Sequence, residues 1–154
     1  MKLKLVSVVI VLALAPLAVA PGWADTHVMV LPNDLKWADV PSLPPGAKIA
    51  LIEGKLTEAA PFTFRLKFPA GYQIPAHWHP ATERVTVLAG TLNLGLGEKL
   101  DRAKTHGLTP GSVMIMQAKT PHYGWTTEET TVQIHGTGPW GVTYVNPADD
   151  PRKK

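Results

Sequence analysis

The sequence predicts an all-β fold in which short antiparallel strands form one sandwich or barrel. Fifteen prolines and thirteen glycines punctuate the 154 residues at short intervals, and both residue types favour turns between strands. The apolar segments between these turns are short, and about eight to ten of them fit as strands. Hydrophobic residues make up 45% of the chain and charged residues 18%, which is typical of a globular protein. The length supports a single domain.

The first 24 residues have the pattern of a secretory signal peptide. A short basic start precedes an apolar run over residues 5–15 and a series of small residues. We favour a signal peptide over a membrane anchor because this run is shorter than the ~20 residues that a membrane-spanning helix needs. The cleavage site is predicted between Ala20 and Ala24, since Pro21 disfavours cleavage directly after Ala20. The mature protein is therefore predicted to be periplasmic or secreted and to have no membrane segment.

After the leader, the chain divides into an arm, a β domain and a tail. The arm, residues 25–46, is rich in proline and polar residues, and it contains one possible helical turn near Asn33 that Pro41 would end. The charged segment 98–106 is predicted to be a loop or a short helix. The tail covers residues 146–154, and its terminal residues Arg152, Lys153 and Lys154 are predicted to be solvated rather than to form a binding patch. Strands are predicted over residues 47–52, 62–68, 85–88, 92–94, 113–116, 130–135 and 142–145, within a domain that covers residues 47–145.

The composition excludes several classes of function. The chain has no cysteine, which excludes disulfides and thiol chemistry. Its formal net charge is only +3, and no basic stripe with interleaved aromatic residues occurs, so nucleic acid is not a predicted partner. Neither a Gly-x-Ser-x-Gly motif nor a Ser/His/Asp arrangement is apparent. The chemistry that remains is carried mainly by histidines.

Two histidines and a glutamate lie close together in the sequence. His77 and His79 are two residues apart, and such residues point to the same side of an extended strand. Pro75 and Pro80 keep this segment extended because proline disfavours a helix. Glu83 follows after a short bend, so one hairpin-like unit can offer two imidazoles and one carboxylate to the same point.

A third candidate histidine follows a second strong strand signal. His122 comes after a turn and after the run 113–116, which is of the buried type. In a closed barrel this second hairpin can face the first one, which would place His122 across the lumen. Three imidazoles and one carboxylate suit one divalent Fe, Mn, Ni, Cu or Zn ion and leave coordination positions open. Solvated histidines, or histidines that only satisfy core hydrogen bonds, are the less favoured alternative because four ligand-type residues occur at this spacing.

These residues give the chain a resemblance to the cupin superfamily. The fixed positions of the first cupin motif are all matched, by Gly71, His77, His79, Glu83 and Gly90. The second motif is matched only in part, by Gly111 and His122. The usual proline, glycine and asparagine of that motif are replaced by Gln117, Lys119 and Thr126. A lysine at the glycine position predicts a different backbone geometry in this turn.

The resemblance covers nearly all of the predicted mature chain and implies both a fold and a site. It implies a small, jelly-roll-like antiparallel β-barrel of about six to ten strands. It implies one bound metal ion whose ligands are His77, His79, Glu83 and His122. A homodimer is also predicted, since cupins commonly pair and a small barrel has edge strands that invite pairing.

The predicted function is that of an exported metal-dependent enzyme, dioxygenase-like or related, that acts on a small organic substrate. The fold does not select among dioxygenase, decarboxylase and isomerase chemistry. Gln133 and His135 are candidates for proton transfer if their side of strand 130–135 lines the barrel, and are otherwise surface residues. The alternatives are a non-catalytic periplasmic module that binds or senses a small ligand or metal, and a purely structural metal site. Three aromatic residues, Trp125, Trp140 and Tyr144, could line an aromatic pocket, but core or interface packing is favoured for each of them.

Overall fold

A computed structural model describes residues 27–154 of the chain. The predicted signal peptide and its cleavage site lie outside the described residues. The strands are β1 (Ala38–Asp39), β2 (Lys48–Glu53), β3 (Pro61–Phe68), β4 (Gln73–Trp78), β5 (Glu83–Ala89), β6 (Leu92–Leu96), β7 (His106–Leu108), β8 (Val113–Met116), β9 (His122–Thr126), β10 (Thr130–Thr137) and β11 (Thr143–Tyr144). Four 3-10 turns cover Pro32–Asp34, Arg102–Lys104, Pro147–Asp149 and Pro151–Lys153. Within residues 27–154, no helix is long and apolar enough to cross a membrane.

The strands form two antiparallel sheets. The six-stranded sheet has the order β1-β2-β3-β10-β5-β8, and the five-stranded sheet has the order β11-β4-β9-β6-β7. Every neighbouring pair in both sheets is antiparallel. The predicted all-β, jelly-roll-like fold is therefore confirmed. It differs from the expected barrel in one respect, since no ladder joins the two sheets within the described residues, and the sheets are not closed.

The hydrophobic core lies between the two sheets. On β3 the residues Phe62, Phe64, Leu66 and Phe68 are buried and the residues between them are not, as the strict alternation of this segment predicts. The neighbouring strands and the opposite sheet supply aliphatic partners, which include Val85, Val87, Val132, Ile134, Ile74, Leu92 and Leu94. Burial of one such side chain stabilises the fold by roughly 1.5–3 kcal/mol. The core thus fixes which face of each strand points inward.

Each predicted strand corresponds to an observed one, but β1, β7 and β9 were not predicted, and one strand was assigned the wrong burial. The charged segment 98–106 is a loop with one 3-10 turn, which agrees with its prediction. The run 113–116 forms β8, but Val113 is 59% exposed and Ile115 is 56% exposed. The prediction of a buried strand is wrong here because β8 is the edge of its sheet and only one of its faces meets the core.

The arm packs along its own domain. Its helical turn covers Pro32–Asp34, and Ala38–Asp39 pairs with β2. Leu43 is buried, and the Tyr144 hydroxyl donates a hydrogen bond to the carbonyl oxygen of Ser42 at 2.8 Å. The arm therefore contributes to the domain core.

Arg152, Lys153 and Lys154 are exposed, as expected for a solvated tail, but Arg152 also binds to the rest of the domain. Arg152 forms an ion pair with Asp150, whose carboxylate is nearly buried, with an Nε to Oδ1 distance of 2.7 Å. The Nη2 atom of Arg152 donates a hydrogen bond to the carbonyl oxygen of Val142 at 2.9 Å. The side chain of Asp150 also accepts from the backbone N–H of Arg152 and begins the last 3-10 turn. These bonds hold the end of the chain against the segment before β11.

Candidate metal centre

Four polar side chains come together where the strands of the two sheets approach each other. His77 lies on β4 directly opposite His122, the first residue of β9. His79 follows β4 immediately, and Glu83 is the first residue of β5. The chain crosses from the five-stranded sheet to the six-stranded sheet between His79 and Glu83. The cluster therefore joins the two sheets at one point, and we call these four residues the ligand cluster.

The ligand cluster is compact and buried. One nitrogen atom from each of the three imidazoles lies within 4.8 Å of the other two. The Glu83 Oε2 atom is 3.6 Å from His79 Nε2 and 3.5 Å from His122 Nε2. All four side chains are 4–5% exposed. The structure thus brings together the four residues that the sequence singled out, and His122 points inward as expected.

Backbone carbonyl groups orient the three imidazoles. The Nδ1 atoms of His77, His79 and His122 lie 2.7, 2.8 and 3.0 Å from the carbonyl oxygens of Pro75, Gly141 and Thr120. A carbonyl oxygen only accepts, so each Nδ1 carries the proton and each Nε2 keeps a free lone pair. This tautomer is the one that a metal site requires of an Nε2 ligand.

Two atoms of the cluster have no hydrogen-bond partner although they are buried. These are His79 Nε2 and Glu83 Oε2, which face each other at 3.6 Å. A buried polar atom without a partner is unfavourable by roughly 1–3 kcal/mol, and proteins seldom keep one without a reason. A metal ion would satisfy both atoms, and three imidazole nitrogens with one carboxylate oxygen are a suitable donor set. The residues present therefore fit a divalent metal.

Burial governs the protonation of the cluster in the absence of a metal. It lowers the pKa of His77 well below its usual range, with further contributions from His122 and His79. Burial and the neighbouring His122 lower the pKa of His79 to about 3, and burial raises the pKa of Glu83 to about 8. At pH 7 the metal-free cluster is thus uncharged. A cation at this point would reverse the effect on Glu83.

The turn that leads to His122 keeps a left-handed backbone at Lys119. Its φ angle is 61°, and no other non-glycine residue among those described has a positive φ. The prediction of a different geometry at this position is wrong, since the lysine adopts the conformation that glycine usually supplies. The Lys119 N–H donates to the carbonyl oxygen of His79 at 2.7 Å. This bond ties the turn before one histidine to the backbone of another.

A cavity of about 290 Å³ lies between the sheets and includes the ligand cluster in its wall. Most of the remaining wall is aliphatic or aromatic. The Trp140 ring stacks on the His79 imidazole with a centroid distance of 3.8 Å and an interplanar angle of 18°. Part of the wall comes from segments outside the strands. We call these residues the rim, which consists of Val40, Ser42, Leu43, Leu56, Trp140, Gly141, Val142 and Arg152.

Gln133 and His135 do not reach the cavity. Val132 and Ile134 line it instead, because the inner face of β10 packs in the core. The Gln133 amide oxygen accepts a hydrogen bond from Arg65 Nε at 3.2 Å on the outer face. The prediction that Gln133 and His135 line the interior beside the ligand cluster is therefore wrong. Neither residue lines the cavity.

Some functional residues were not identified by sequence reasoning. Trp140 lines the cavity and stacks on His79, which was the less favoured of the two alternatives for this residue. The carbonyl oxygen of Gly141 accepts a hydrogen bond from His79 Nδ1, and Arg152 belongs to the rim. Backbone carbonyl contacts and long-range tail docking leave no residue pattern, so no signal in the sequence could have located Gly141 or Arg152.

Residues 64–135 match the family model of the cupin domain, a segment that contains the whole ligand cluster. This chain belongs to the cupin superfamily. The cupin fold is also found in the solved structures that it resembles. It is 19% identical to the polyketide cyclase RemF from Streptomyces resistomycificus, with a TM-score of 0.67 over 83% of this chain and 92% of that one.

Two further structures share the cupin fold of this chain. The putative acetylacetone dioxygenase from Methylibium petroleiphilum is 17% identical, with a TM-score of 0.63 over 83% of this chain and 87% of that one. KdgF from Halomonas sp. is 18% identical, with a TM-score of 0.58 over 73% of this chain and 96% of that one. At such identities the likeness concerns the fold alone. The comparison with curated proteins gave no significant match.

Proposed function

We propose that this cupin is a metal-dependent enzyme that acts on a small organic substrate. One divalent ion would be held by His77, His79, Glu83 and His122. The single observation that carries the proposal is the pair of partnerless buried atoms, His79 Nε2 and Glu83 Oε2, within a cluster whose imidazoles all keep a free Nε2 lone pair. A single bound cation would satisfy all of these atoms together.

The bound ion would supply a Lewis acid with coordination positions left open for substrate. The residues of the chain have three tasks around it. The carbonyl groups of Pro75, Gly141 and Thr120 fix the imidazoles in one orientation. The Trp140 ring covers one face of His79 and keeps water from it. A divalent charge with one carboxylate ligand leaves a net positive site, which favours an anionic or enolate oxygen of the substrate.

We propose dioxygenase-like or related chemistry for the reaction. A putative acetylacetone dioxygenase and a polyketide cyclase are among the proteins with a similar fold, and both of these names fit small organic substrates. The cavity volume of about 290 Å³ is suited to a molecule at the small end of the range for ligand sites. The ligand set is compatible with Fe, Mn, Zn, Ni or Cu.

The test begins with elemental analysis of protein purified from its native location, followed by O₂ uptake with Fe(II)- or Mn(II)-loaded protein. The substrate panel contains phenols, enediols and oxalate-like acids. We expect about one metal ion per chain and turnover of at least one substrate class, and we expect the His122→Ala variant to lose both. Metal content that is equal in the wild type and the variant, or no turnover with any metal and substrate, would contradict the proposal.

A second candidate function is a non-catalytic module that binds a small ligand. It is favoured by the absence, among described residues, of a titratable cavity residue other than the ligand cluster, Tyr123 and Arg152. A separate general acid or base is therefore lacking near the candidate centre. Denaturation of freshly purified protein distinguishes the two functions, because a binding module would release an unmodified small molecule that the metal-loaded protein fails to convert.

We also propose export and dimerisation. The N-terminal pattern supports a signal peptide, and sequencing of the mature N-terminus would reveal cleavage between Ala20 and Ala24. Val113 and Ile115 are exposed on the edge strand β8, which supports pairing with a second copy there. Light scattering at micromolar concentration should give a dimer mass, and a monomer mass would contradict this part of the proposal.

A further inference from the structure

We propose that the cavity accepts a predominantly apolar organic molecule that presents a single oxygen-bearing head to the ligand cluster. Sugars, sugar acids and polycarboxylates are excluded by the same wall. This inference rests on the proposed function, because the head group needs a metal at the cluster. It goes further in naming the class of substrate.

The wall opposite and around the cluster offers almost nothing for a hydroxyl group to bind. Six residues from both sheets illustrate its chemistry, namely Phe64, Leu66, Ile74, Leu94, Val132 and Ile134. The backbone groups of β3, β10 and β5 are used in the ladders of the sheet. A buried hydroxyl that finds no partner is unfavourable by roughly 1–3 kcal/mol. A polyol would meet this penalty several times over, whereas an apolar body would gain from burial.

The few polar groups elsewhere in the wall are already engaged or lie at its edge. The Tyr123 hydroxyl donates to the carbonyl oxygen of Asp101 at 3.3 Å and is therefore committed outside the ligand cluster. The Arg152 guanidinium is paired with Asp150 through two hydrogen bonds, at 2.7 and 2.9 Å. Its charge is thus compensated, and the side chain is 43% exposed. The rim therefore does not provide a second anion site for a dicarboxylate.

Size narrows the class further. Pockets for small molecules usually measure about 300–1,000 Å³, and this cavity of about 290 Å³ is at the lower limit. One ring or one short branched chain would fill it. Trp140, whose ring stacks on His79, adds a further aromatic side chain to this wall.

Two probes that chelate a metal through oxygens in a 1,3 relation compare an apolar body with a second carboxylate. Benzoylacetone binds as an enolate and carries an apolar ring, whereas malonate binds as a dicarboxylate and carries no ring. The full mature protein is loaded with Zn(II), which has no redox chemistry, and binding is followed by calorimetry. We expect the Kd of benzoylacetone to be at least about tenfold lower than that of malonate.

The outcomes separate this inference from the proposed function. If the protein binds Zn(II) but has equal affinity for the two probes, or binds malonate more tightly, the apolar substrate class is overturned. The metal centre would remain in place. Failure of every divalent metal to bind would overturn the proposed function and, with it, the oxygen-bearing head.

Substitutions in the wall provide a matched control. Leu56 lines the cavity and is partly buried, whereas Leu51 is 52% exposed and does not line it. We expect Leu56→Asn to weaken benzoylacetone binding at least about fivefold with malonate unchanged, and Leu51→Asn to change neither. Val142→Thr is nearly isosteric and tests the same wall if Leu56→Asn does not fold. Unchanged benzoylacetone binding in a folded wall variant would overturn the inference.

Discussion

The ligand cluster and the rim belong to the same cavity but are held in different ways. The cluster sits on β4, β5 and β9, each of which pairs with two neighbouring strands, and its four side chains are 4–5% exposed. The rim lies outside these ladders and is held by a few separate hydrogen bonds, such as Tyr144 to Ser42 and Arg152 to Val142 and Asp150. The ligand cluster is thus fixed mainly by paired strands, whereas the rim is fixed by side-chain bonds. Substitutions in the two regions should therefore have different effects.

The largest effect is expected at His122. His122→Ala removes one ligand and leaves a buried gap beside Glu83, so we expect metal affinity to fall by about 100-fold or more. His135→Ala is the matched control, because this histidine lies on the strand face opposite the cavity. Competition with a chromophoric chelator measures both affinities. An equal loss in the two variants would show that the effect is not specific to the cluster.

The free energy of unfolding of the metal-free protein should depend on pH through the ligand cluster. The pKa of Glu83 is raised from 4.5 to about 8 in the metal-free protein. Between these pH values the folded state binds one more proton than the unfolded state, so the free energy of unfolding falls as pH rises. The lowered pKa values of His77, His79 and His122 act in the opposite direction, but their contribution is complete above about pH 6.5.

The window from pH 6.5 to 8 therefore isolates Glu83. The free energy of unfolding of chelator-treated protein should fall there by about 2 kcal/mol, as measured by urea denaturation. Glu83→Gln removes the titrating group without a change of shape and should give a nearly flat profile. The same slope in the variant and the wild type would mean that another group is responsible. With a metal bound, Glu83 should stay ionised and the wild-type slope should disappear.

The rim should respond more weakly, and Arg152 is its best test. Arg152→Ala removes the link to Asp150 and the bond to the Val142 carbonyl group. We expect a loss of about 1 kcal/mol in stability, since the side chain is partly exposed and screened by solvent. Metal affinity should fall only severalfold, through the adjoining Gly141 that orients His79.

Two variants complete the test of the rim. Arg152→Lys keeps the charge but loses the planar guanidinium group. It should therefore recover only part of the stability and only part of the metal affinity that Arg152→Ala loses. Lys153→Ala alters an exposed neighbour and should change neither stability nor metal affinity. A loss of metal affinity in Arg152→Ala as large as that in His122→Ala would remove the distinction between rim and cluster.

The same contrast explains how far the sequence could predict this molecule. The alternation of β3 and the spacing of His77, His79 and Glu83 are local, so they predicted both the strand and the convergence of side chains. The choice of inner face on β10 is not local, since Gln133 and His135 alternate with Val132 and Ile134 and either pair could have faced inward. Only the packing of the whole sheet decides this.

The docking of Arg152 was equally invisible in the sequence. Arg152 lies in a polar, proline-containing tail, a composition typical of a solvated segment. Its place at the rim depends on Asp150 and on the Val142 carbonyl group, and a carbonyl group has no sequence signature. The exposure of Val113 and Ile115 depends likewise on β8 being an edge strand, which requires the strand order to be known.

The smallest effect is expected at Lys119, which lies in the turn before His122 and is hydrogen-bonded to the backbone of His79. Its φ of 61° is unfavourable for a residue with a side chain by roughly 1–2 kcal/mol, and glycine recovers this at some entropic cost in the unfolded chain. Lys119→Gly should therefore raise the Tm by about 3 °C in a thermal melt, whereas Lys119→Ala should give no gain. Metal affinity should not change, because the N–H that donates to the His79 carbonyl oxygen is kept. A glycine variant that is no more stable than the alanine variant would contradict this prediction.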